Sequence, residues 1–394
     1  MSTDNLDPLS KAIRIQTPRT QQQEHSTPLY LTSSFIFEEA EAMRAAFADE
    51  TDDNIYSRFS NPNVDEFIAK MCALENAEAG FATSTGMSAI FSSMFALLGQ
   101  GDHLLCCSSV FGSTFTVVTK YLPKYGITCT LVPANDKEAW EAAVQPNTKM
   151  VYLETPTNPQ LEIIDLEWAG QFSKKYNLIL NVDNCFATPL LQRPTDFGAD
   201  LVVHSATKWI DGQGRVMGGV IVGREDLVKE IYLFCRNTGP ALSPFNAWVL
   251  SKSLETLDVR MQRHCENALK VAETLQSHPN VSWVKYPFLP THPQYEIAKK
   301  QMTLGGGVLC FEIKGGLEAG RKFLDHLQML SVTANLGDAR SIASHPASTT
   351  HSKLTDEQRT AVGITPGLIR ISTGLEKVDD IITDIVQALE KSAN

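Results

Sequence analysis

The chain has few of the features that mark several common protein classes. Its eight cysteines form no CxxC pair, and no histidine and cysteine spacing matches a zinc site. No apolar run is long enough to cross a membrane, and the N-terminus has no basic region followed by an apolar one. Basic residues are not in excess, because the formal net charge is -11, which argues against nucleic acid or an anionic membrane as a main partner. We therefore expect a cytoplasmic protein with reduced cysteines and no bound metal.

Internal repeats and low-complexity tracts are also missing, so the 394 residues predict a globular protein with a large core. From residue 63 onward, predicted helices and strands alternate, which indicates βαβ units and a mostly parallel sheet covered by helices on both faces. After about residue 253 the pattern predicts one long helix, residues 254–276, followed by a smaller α/β lobe. The first 30 residues or so are polar and predict an arm rather than a packed unit.

One lysine, Lys208, lies just past a predicted buried strand at residues 201–204. The glycine-containing segment 211–214 predicts a turn before the next strand, residues 220–222. A lysine held away from water is less easily charged, so its amine can be a nucleophile that forms a Schiff base with an aldehyde. Taken alone, the position of Lys208 favours an ordinary surface lysine at the end of a strand. The glycines do not predict a nicotinamide site, because the third glycine of that fingerprint is missing.

Two further stretches favour the nucleophile. Asp183 follows a predicted buried strand, residues 178–182, at the end where open α/β sheets bind ligands. Residues 83–90 predict the start of an apolar helix, with hydroxyl caps and Gly86 where main-chain N–H groups favour an anion. A phosphate site, a carboxylate for a pyridinium nitrogen and a Schiff-base lysine together describe a pyridoxal 5'-phosphate (PLP) pocket.

On these residues the chain resembles the PLP-dependent enzymes of cysteine and methionine metabolism, the transsulfuration family. Seven motifs carry the resemblance, in family order along nearly the whole chain: residues 56–62, 84–87, 154–159, 183–184, 205–208, 345–351 and 368–374. The resemblance implies the type I fold of PLP-dependent transferases, which is aspartate-aminotransferase-like. It implies an N-terminal arm on a neighbouring subunit at residues 1–55, a large domain with a mostly parallel seven-stranded sheet at residues 56–253, and a smaller C-terminal α/β domain at residues 254–394.

The resemblance also implies roles for individual residues. Lys208 is the expected catalytic residue, and Arg370, placed in an otherwise apolar strand, is expected to bind the α-carboxylate of the substrate. The expected cofactor-binding residues are Tyr56, Arg58, Gly86, Met87, Phe111, Asn158, Asp183, Ser205, Thr207 and Lys208, and the expected substrate-binding residues are Arg370, Asn335 and Arg340.

Tyr56 and Arg58 are implied to reach the cofactor phosphate of an adjacent subunit. Arginine suits this task because its planar group of donors can bind two phosphate oxygens. This arrangement predicts an obligate oligomer, and the relatives suggest a homotetramer built from active dimers.

Three features narrow the reaction within the family. Residues 211–215 resemble the O-succinylhomoserine sulfhydrylase branch more than the cystathionine enzymes. Phe111 replaces a tyrosine that many members have, and it can stack on the cofactor ring but cannot transfer a proton; Ser113 lies where methionine γ-lyases typically have cysteine. Arg340 falls where cystathionine enzymes usually have a glutamate, so we predict that Arg340 or Arg215 favours the distal carboxylate of a succinyl ester.

The predicted reaction is γ-replacement, in which sulfide displaces succinate from O-succinyl-L-homoserine and gives L-homocysteine. Lys208 is expected to move the protons at Cα and Cβ. O-acetylhomoserine sulfhydrylase and cystathionine γ-synthase remain alternatives, and a non-catalytic PLP-binding regulator is the alternative from another class. The residues leave open the acyl group, the sulfur donor, any γ-elimination side activity and the choice between dimer and tetramer.

Overall fold

The computed structural model describes residues 6–349, 352, 355, 359 and 363–392. Its α-helices are α1 (Pro8–Arg14), α2 (Ala40–Phe47), α3 (Pro62–Glu75), α4 (Gly86–Phe95), α5 (Gly112–Thr116), α6 (Lys137–Ala142), α7 (Leu166–Tyr176), α8 (Thr188–Leu191), α9 (Glu225–Thr238), α10 (Pro244–Leu254), α11 (Leu257–Gln276), α12 (Tyr295–Gln301), α13 (Gly316–His326) and α14 (Val378–Ser392). Its strands are β1 (Ala79–Thr83), β2 (His103–Cys107), β3 (Thr128–Val132), β4 (Thr148–Glu154), β5 (Ile179–Asp183), β6 (Leu201–Ser205), β7 (Gly219–Gly223), β8 (Val281–Lys285), β9 (Val308–Ile313), β10 (Ser331–Val332), β11 (Ile342–Ser344) and β12 (Leu368–Ser372).

Seven strands form the larger sheet, in the order β1-β7-β6-β5-β4-β2-β3. Strand β7 is antiparallel to both of its neighbours, and the other pairs are parallel, which confirms the predicted mostly parallel sheet. The central strands are apolar on both faces because helices cover both sides. In β2, for example, all five residues are buried.

The carboxyl ends of the three central parallel strands bring polar side chains together. Strands β4, β5 and β6 end at Glu154, Asp183 and Ser205. The parallel register pairs Glu154 with Asp183. Since ligands bind at this edge of open α/β sheets, the strand order alone places these groups at a candidate site.

A second, five-stranded sheet has the order β10-β11-β12-β9-β8 and is mainly antiparallel. Helices α11, α13 and α14 pack on it around buried residues such as Phe311, Phe323 and Ile385. A separate core cluster joins residues of both sheets, among them Val202 and Leu368. The division near residue 253 stays a prediction, because this shared core crosses it.

The helix predicted over residues 254–276 is wrong at its start. The chain bends at Glu255 and Thr256, so α10 ends at Leu254 and α11 begins at Leu257. The carbonyl of Ser253 accepts hydrogen bonds from Thr256 N and from the Arg260 guanidinium instead of continuing one helix. Such a bend depends on a buried arginine, which periodicity does not reveal.

Three other properties bear on the predictions made from composition. All eight cysteines are free, and five of them are buried. Among the residues that the structure describes, no helix has the length and apolar character needed to cross a bilayer. Within the same residues, no group of histidine, cysteine, aspartate or glutamate side chains is arranged to hold a metal ion.

Candidate active site

Lys208 lies in a turn directly after β6. Its main-chain N–H donates to Ser205 O at 3.2 Å, and Gly212 N donates to its carbonyl at 2.8 Å. The half-buried side chain places Nζ 2.5 Å from Oδ1 of Asn335. Burial lowers the pKa of Lys208; the Cys185 thiol opposes this, and the nearby Arg370 charge adds to it. The amine is therefore more readily neutral than a surface lysine, as a nucleophile requires.

Arg260 of α11 holds this turn from the side of the second sheet. Its Nη1 donates to Trp209 O at 2.7 Å, and its Nη2 donates to Ile210 O at 3.2 Å. Gly212 has φ +70, and a Cβ there would lie 2.1 Å from Arg260 Nη1. The sequence prediction did not single out Arg260. The available signal was its place on the apolar face of α11, beside Leu257 and His264.

Asp183 lies at the end of β5 and is 6% exposed. Its Oδ2 accepts from Tyr152 Oη at 3.2 Å, and its Oδ1 accepts from Cys185 N at 3.0 Å. Burial raises the pKa of Asp183, while the Cys185 N–H and the charge of His204 oppose that rise. A cationic pyridine nitrogen would stabilise the carboxylate in this apolar setting, so the predicted role fits.

The start of helix α4 lies against the end of β6. Thr85 caps the helix by accepting from Ser88 N at 3.0 Å, and a Cβ on Gly86 would lie 2.5 Å from Ser205 Cβ. Thr207 Oγ1 accepts from Gly218 N at 3.1 Å, which fixes the turn on the opposite side. The start of α4 therefore lies beside the Lys208 turn, and half-buried Met87 is its second residue. This is a suitable place for a phosphate.

Arg370 of β12 lies 7% exposed in the second sheet. Its Nη1 donates to Asn158 Oδ1 at 2.9 Å, and its Nη2 donates to Asn335 O at 3.0 Å. Its Nε is buried and has no partner in the described part of the chain. Burial lowers the pKa of Arg370 to about 10. Because its partners are neutral amide oxygens, the guanidinium has spare donors and an uncompensated charge that a substrate carboxylate could satisfy.

Asn335 and Asn158 connect the predicted cofactor-binding residues with the predicted substrate-binding residues. Asn335 accepts from Lys208 through its side chain and from Arg370 through its carbonyl. Asn158 was expected to bind the cofactor, and its Oδ1 accepts from Arg370. Hydrogen bonds thus connect Lys208, Asn335, Arg370 and Asn158 in one site.

The two arginines predicted to attract a succinyl group are already paired within the chain. Arg340 Nε lies 2.9 Å from Asp338 Oδ1, although its side chain is 69% exposed. Arg215 Nε lies 3.1 Å from Asp211 Oδ1, and its Nη2 donates to Ser253 Oγ at 2.5 Å. Each guanidinium therefore has a neutralising carboxylate.

Tyr56 and Arg58 form a separate group. The guanidinium of Arg58 lies 5.4 Å from the Tyr56 ring centre and 4.9 Å from that of Phe59, and it donates to Arg236 O. In the residues described, no hydrogen bond or ring contact joins either side chain to Lys208. Of the predicted motif at residues 345–351, His345 is buried and contacts Ser348 and Pro366, and residues 350 and 351 lie outside the described residues.

The donor set fits PLP. A lysine with a depressed pKa, a buried carboxylate, a helix start beside them and an arginine with an orphaned Nε supply what the coenzyme and an amino-acid substrate require. A family model described as Cys/Met metabolism PLP-dependent enzyme matches residues 10–390. The chain belongs to this family. Its cofactor is PLP, and its fold is the type I fold of PLP-dependent enzymes.

Two curated members of the family illustrate the similarity in sequence. The O-succinylhomoserine sulfhydrylase of Pseudomonas aeruginosa is 46% identical, over 96% of this chain and 94% of that protein. The L-methionine gamma-lyase of Porphyromonas gingivalis is 45% identical, over 93% of this chain and 92% of that protein. The family thus establishes a PLP-dependent enzyme of cysteine and methionine metabolism, and both activities are represented at similar distance.

Solved structures of the family agree with the fold. A Campylobacter jejuni protein assigned as O-acetylhomoserine (thiol)-lyase, with a pyridoxyl phosphate group on a lysine, superimposes with a TM-score of 0.94 at 33% identity and covers 98% of this chain and 100% of that one. Cystathionine gamma-lyase of Lactobacillus plantarum, complexed with L-serine, has a TM-score of 0.92 at 34% identity and covers 98% of this chain and 100% of that one.

Proposed function

We propose that the enzyme catalyses γ-replacement on O-succinyl-L-homoserine, with sulfide as the incoming group and L-homocysteine and succinate as the products. The observation that carries the proposal is the segment Phe111–Ser113 at the start of α5. Phe111 is 44% exposed, and its main-chain N–H is fixed to Glu154 at 2.8 Å. Ser113, which is exposed, replaces the cysteine typical of methionine γ-lyases. This difference favours the sulfhydrylase over the γ-lyase.

In the proposed reaction each site residue acts on a particular atom of the substrate or of the cofactor. PLP, when bound, withdraws electrons from the substrate carbons and so makes their protons acidic. Lys208 Nζ would hold the cofactor and then take the proton from substrate Cα and move protons at Cβ. Arg370 would hold the α-carboxylate through its spare donors, and Asp183 would pair with the pyridine nitrogen. Phe111 has no acidic proton, so the proton transfers fall to Lys208.

We also propose that Arg340 contributes to the choice of acyl group. Its guanidinium is 69% exposed and so can be reached by a ligand, and the paired Asp338 limits the size of the effect. Replacing both Arg340 and Arg215 by glutamine should lower the preference for succinyl over acetyl esters by about two- to fivefold. An unchanged preference would contradict this role.

L-methionine γ-lyase activity is the second candidate, because a relative with that activity is 45% identical. The competing activities can be separated by one assay on the holoenzyme. Turnover is measured with O-succinyl- or O-acetyl-L-homoserine, each with sulfide or L-cysteine, and with L-methionine alone. We expect the highest kcat/KM for the succinyl ester with sulfide. Faster breakdown of L-methionine than of either ester would overturn the proposal, and the Ser113→Cys variant should then change that rate.

The proposed assembly is a homotetramer built from active dimers, in the cytoplasm. The support for this assembly comes from the N-terminal arm, where the side chain of Ile36 is 99% exposed and that of Leu31 is 70% exposed. Apolar side chains exposed together are typical of a surface that another subunit covers. The predicted phosphate ligands Tyr56 and Arg58 follow this arm in the chain.

A further inference from the structure

Glu154 is a buried carboxyl group to which the proposed reaction gives no role. It ends strand β4, is 3% exposed, and lies opposite Asp183 in the parallel register of β4 and β5. A carboxyl group in such a place is costly unless its oxygens are hydrogen-bonded. The partners that it has therefore indicate what it does.

Those partners are main-chain N–H groups of two residues predicted to contact the cofactor. Phe111 N donates to Glu154 Oε2 at 2.8 Å, and the main-chain N–H of Asn158 lies close enough to the same carboxyl group to lower its pKa. Phe111 begins the loop and helix on one side of the site, and Asn158 belongs to the loop on the other side. One side chain therefore joins both loops to the strand that neighbours Asp183.

We propose that Glu154 is a positioning residue, which holds Phe111 and Asn158 in fixed places relative to Asp183 and so shapes the cofactor site. It acts through main-chain atoms, so the side chains of Phe111 and Asn158 stay available. The Asn158 side chain uses its Oδ1 to accept from Arg370, so the same carboxyl group also bears on the substrate's carboxylate site.

The charge state of Glu154 agrees with this role. Burial, and next the charge of Asp183, raise the pKa of Glu154 well above its usual range, and the two N–H bonds only partly oppose that. Two adjacent buried carboxyl groups do not both ionise easily, so we expect Asp183 to keep the charge and Glu154 to stay protonated at neutral pH. A neutral acid has the same shape as an amide. Gln is therefore the conservative replacement.

The test compares three variants of the full-length enzyme. Glu154→Gln keeps an oxygen within reach of the N–H groups, Glu154→Asp withdraws the carboxyl group by one methylene, and Glu154→Leu leaves both N–H groups without a partner. The matched control is Glu162→Gln, since Glu162 Oε2 accepts from Ser109 Oγ of the same loop at 3.0 Å. PLP affinity is measured by titrating the apoenzyme, and visible circular dichroism reports how the bound coenzyme is held.

We expect Glu154→Gln and Glu162→Gln to bind PLP with nearly wild-type affinity and the wild-type dichroism. Glu154→Asp and Glu154→Leu should bind PLP about tenfold more weakly, with reduced dichroism, because buried donors lose their acceptor. If Glu154→Leu does not fold, the Gln and Asp variants decide alone. Wild-type affinity and dichroism in the Asp variant would overturn the proposal, as would a Gln variant as impaired as the Asp variant. These readouts need no substrate, so they are independent of the acyl ester that the enzyme uses.

Discussion

Asn335 lies between the two cations of the site. Its side-chain oxygen is 2.5 Å from Lys208 Nζ, and its carbonyl oxygen is 3.0 Å from an Arg370 nitrogen. An amide can accept both hydrogen bonds without adding a charge. A carboxylate at the same place would favour the charged form of Lys208, by about 4 kcal/mol at 4 Å and an effective dielectric constant of 20. A neutral residue at this position therefore preserves the depressed pKa of Lys208.

The Asn335→Asp variant tests this argument through pH dependence. Lys208 reacts with the coenzyme as a neutral amine, so the rate of PLP attachment to the apoenzyme rises with pH through the pKa of Lys208. A carboxylate at residue 335 raises that pKa, and the rise in rate should move to higher pH by about one unit or more. Asn335→Ala, which adds no charge, should leave the profile in place or move it to lower pH. Identical profiles for the Asp variant and the wild type would contradict the assignment.

Arg370 should separate substrate binding from cofactor binding. Arg370→Ala is expected to lower kcat/KM by about a hundredfold, mainly through KM, because the α-carboxylate loses charge-assisted hydrogen bonds. Arg370→Lys should recover only part of the loss, since an ammonium group cannot bind in the bidentate manner. PLP affinity of the apoenzyme should stay within about twofold. Arg224→Ala is the control, because Arg224 pairs with Asp200 and Asp226 in a half-exposed position. A wild-type KM for Arg370→Ala would refute the role.

At the scale of secondary structure, the contact of α4 with β6 shapes the predicted phosphate site. Gly86 lets the helix start approach the strand end, because a side chain there would overlap Ser205. Gly219 of β7 is similarly close, since its Cβ would lie 2.2 Å from Thr85 O. The helix start is thus held between two strands, and its position has little freedom.

Gly86→Ala should weaken PLP binding and lower the stability of the apoenzyme by about 1–3 kcal/mol, because the new methyl group must displace α4 or β6. Gly112→Ala is the matched control: Gly112 also begins a helix, but among the described residues no atom other than those of its chain neighbours and its own helix backbone lies within 4 Å of the position of its Cβ. Thermal unfolding of both apoenzymes and PLP titration give the comparison. A second change, Ser205→Gly, should partly rescue Gly86→Ala by removing the overlapping atoms. Equal effects of the two alanine variants would argue against steric contact as the cause.

The elements that the sequence predicted correctly are those whose signal is local. The apolar runs of β5 and β6 set the limits of these strands within a residue or so. Strand β1, with Gly80 in a short run, and the break at Glu255 were not predicted. Strand β1 depends on a partner distant in sequence, since it pairs with β7. The break is stabilised by a side-chain hydrogen bond from Arg260 to Ser253 O, which helical periodicity alone does not predict.

The candidate active site was likewise predicted only in part, because contacts between residues distant in sequence are not visible in the sequence. Motif order identified Lys208 and Arg370, and the structure brings them together through Asn335. The part played by Arg260 in the site could not be predicted, because the two hydrogen bonds by which it holds the Lys208 turn are to main-chain carbonyls about 50 residues away. Family motifs record which side chains contact ligands. They do not record which buried groups hold those side chains in place.

On the scale of the whole molecule, the contacts of the N-terminal arm and of Arg58 within the described residues do not include the chain's own Lys208. Glu66 anchors the arm by accepting from Thr17 N at 3.0 Å and from Thr27 Oγ1 at 2.5 Å. Beyond this anchor, the arm exposes Leu31 and Ile36, and the contacts of Arg58 are with Tyr56, Phe59 and Arg236. This geometry agrees with the expectation that Tyr56 and Arg58 act in the active site of another subunit.

Complementation between two inactive variants tests that expectation. Lys208→Ala and Arg58→Ala chains should each be nearly inactive alone. If each site takes Lys208 from one chain and Arg58 from another, half of the dimers in an equal mixture are hybrids, and each hybrid has one intact site. Co-expression should therefore restore about a quarter of the wild-type activity. If Arg58 instead acts on the cofactor bound by its own chain, every site carries one of the two substitutions and no activity returns. Mixtures that stay inactive while sedimentation shows hybrid oligomers would exclude a shared site.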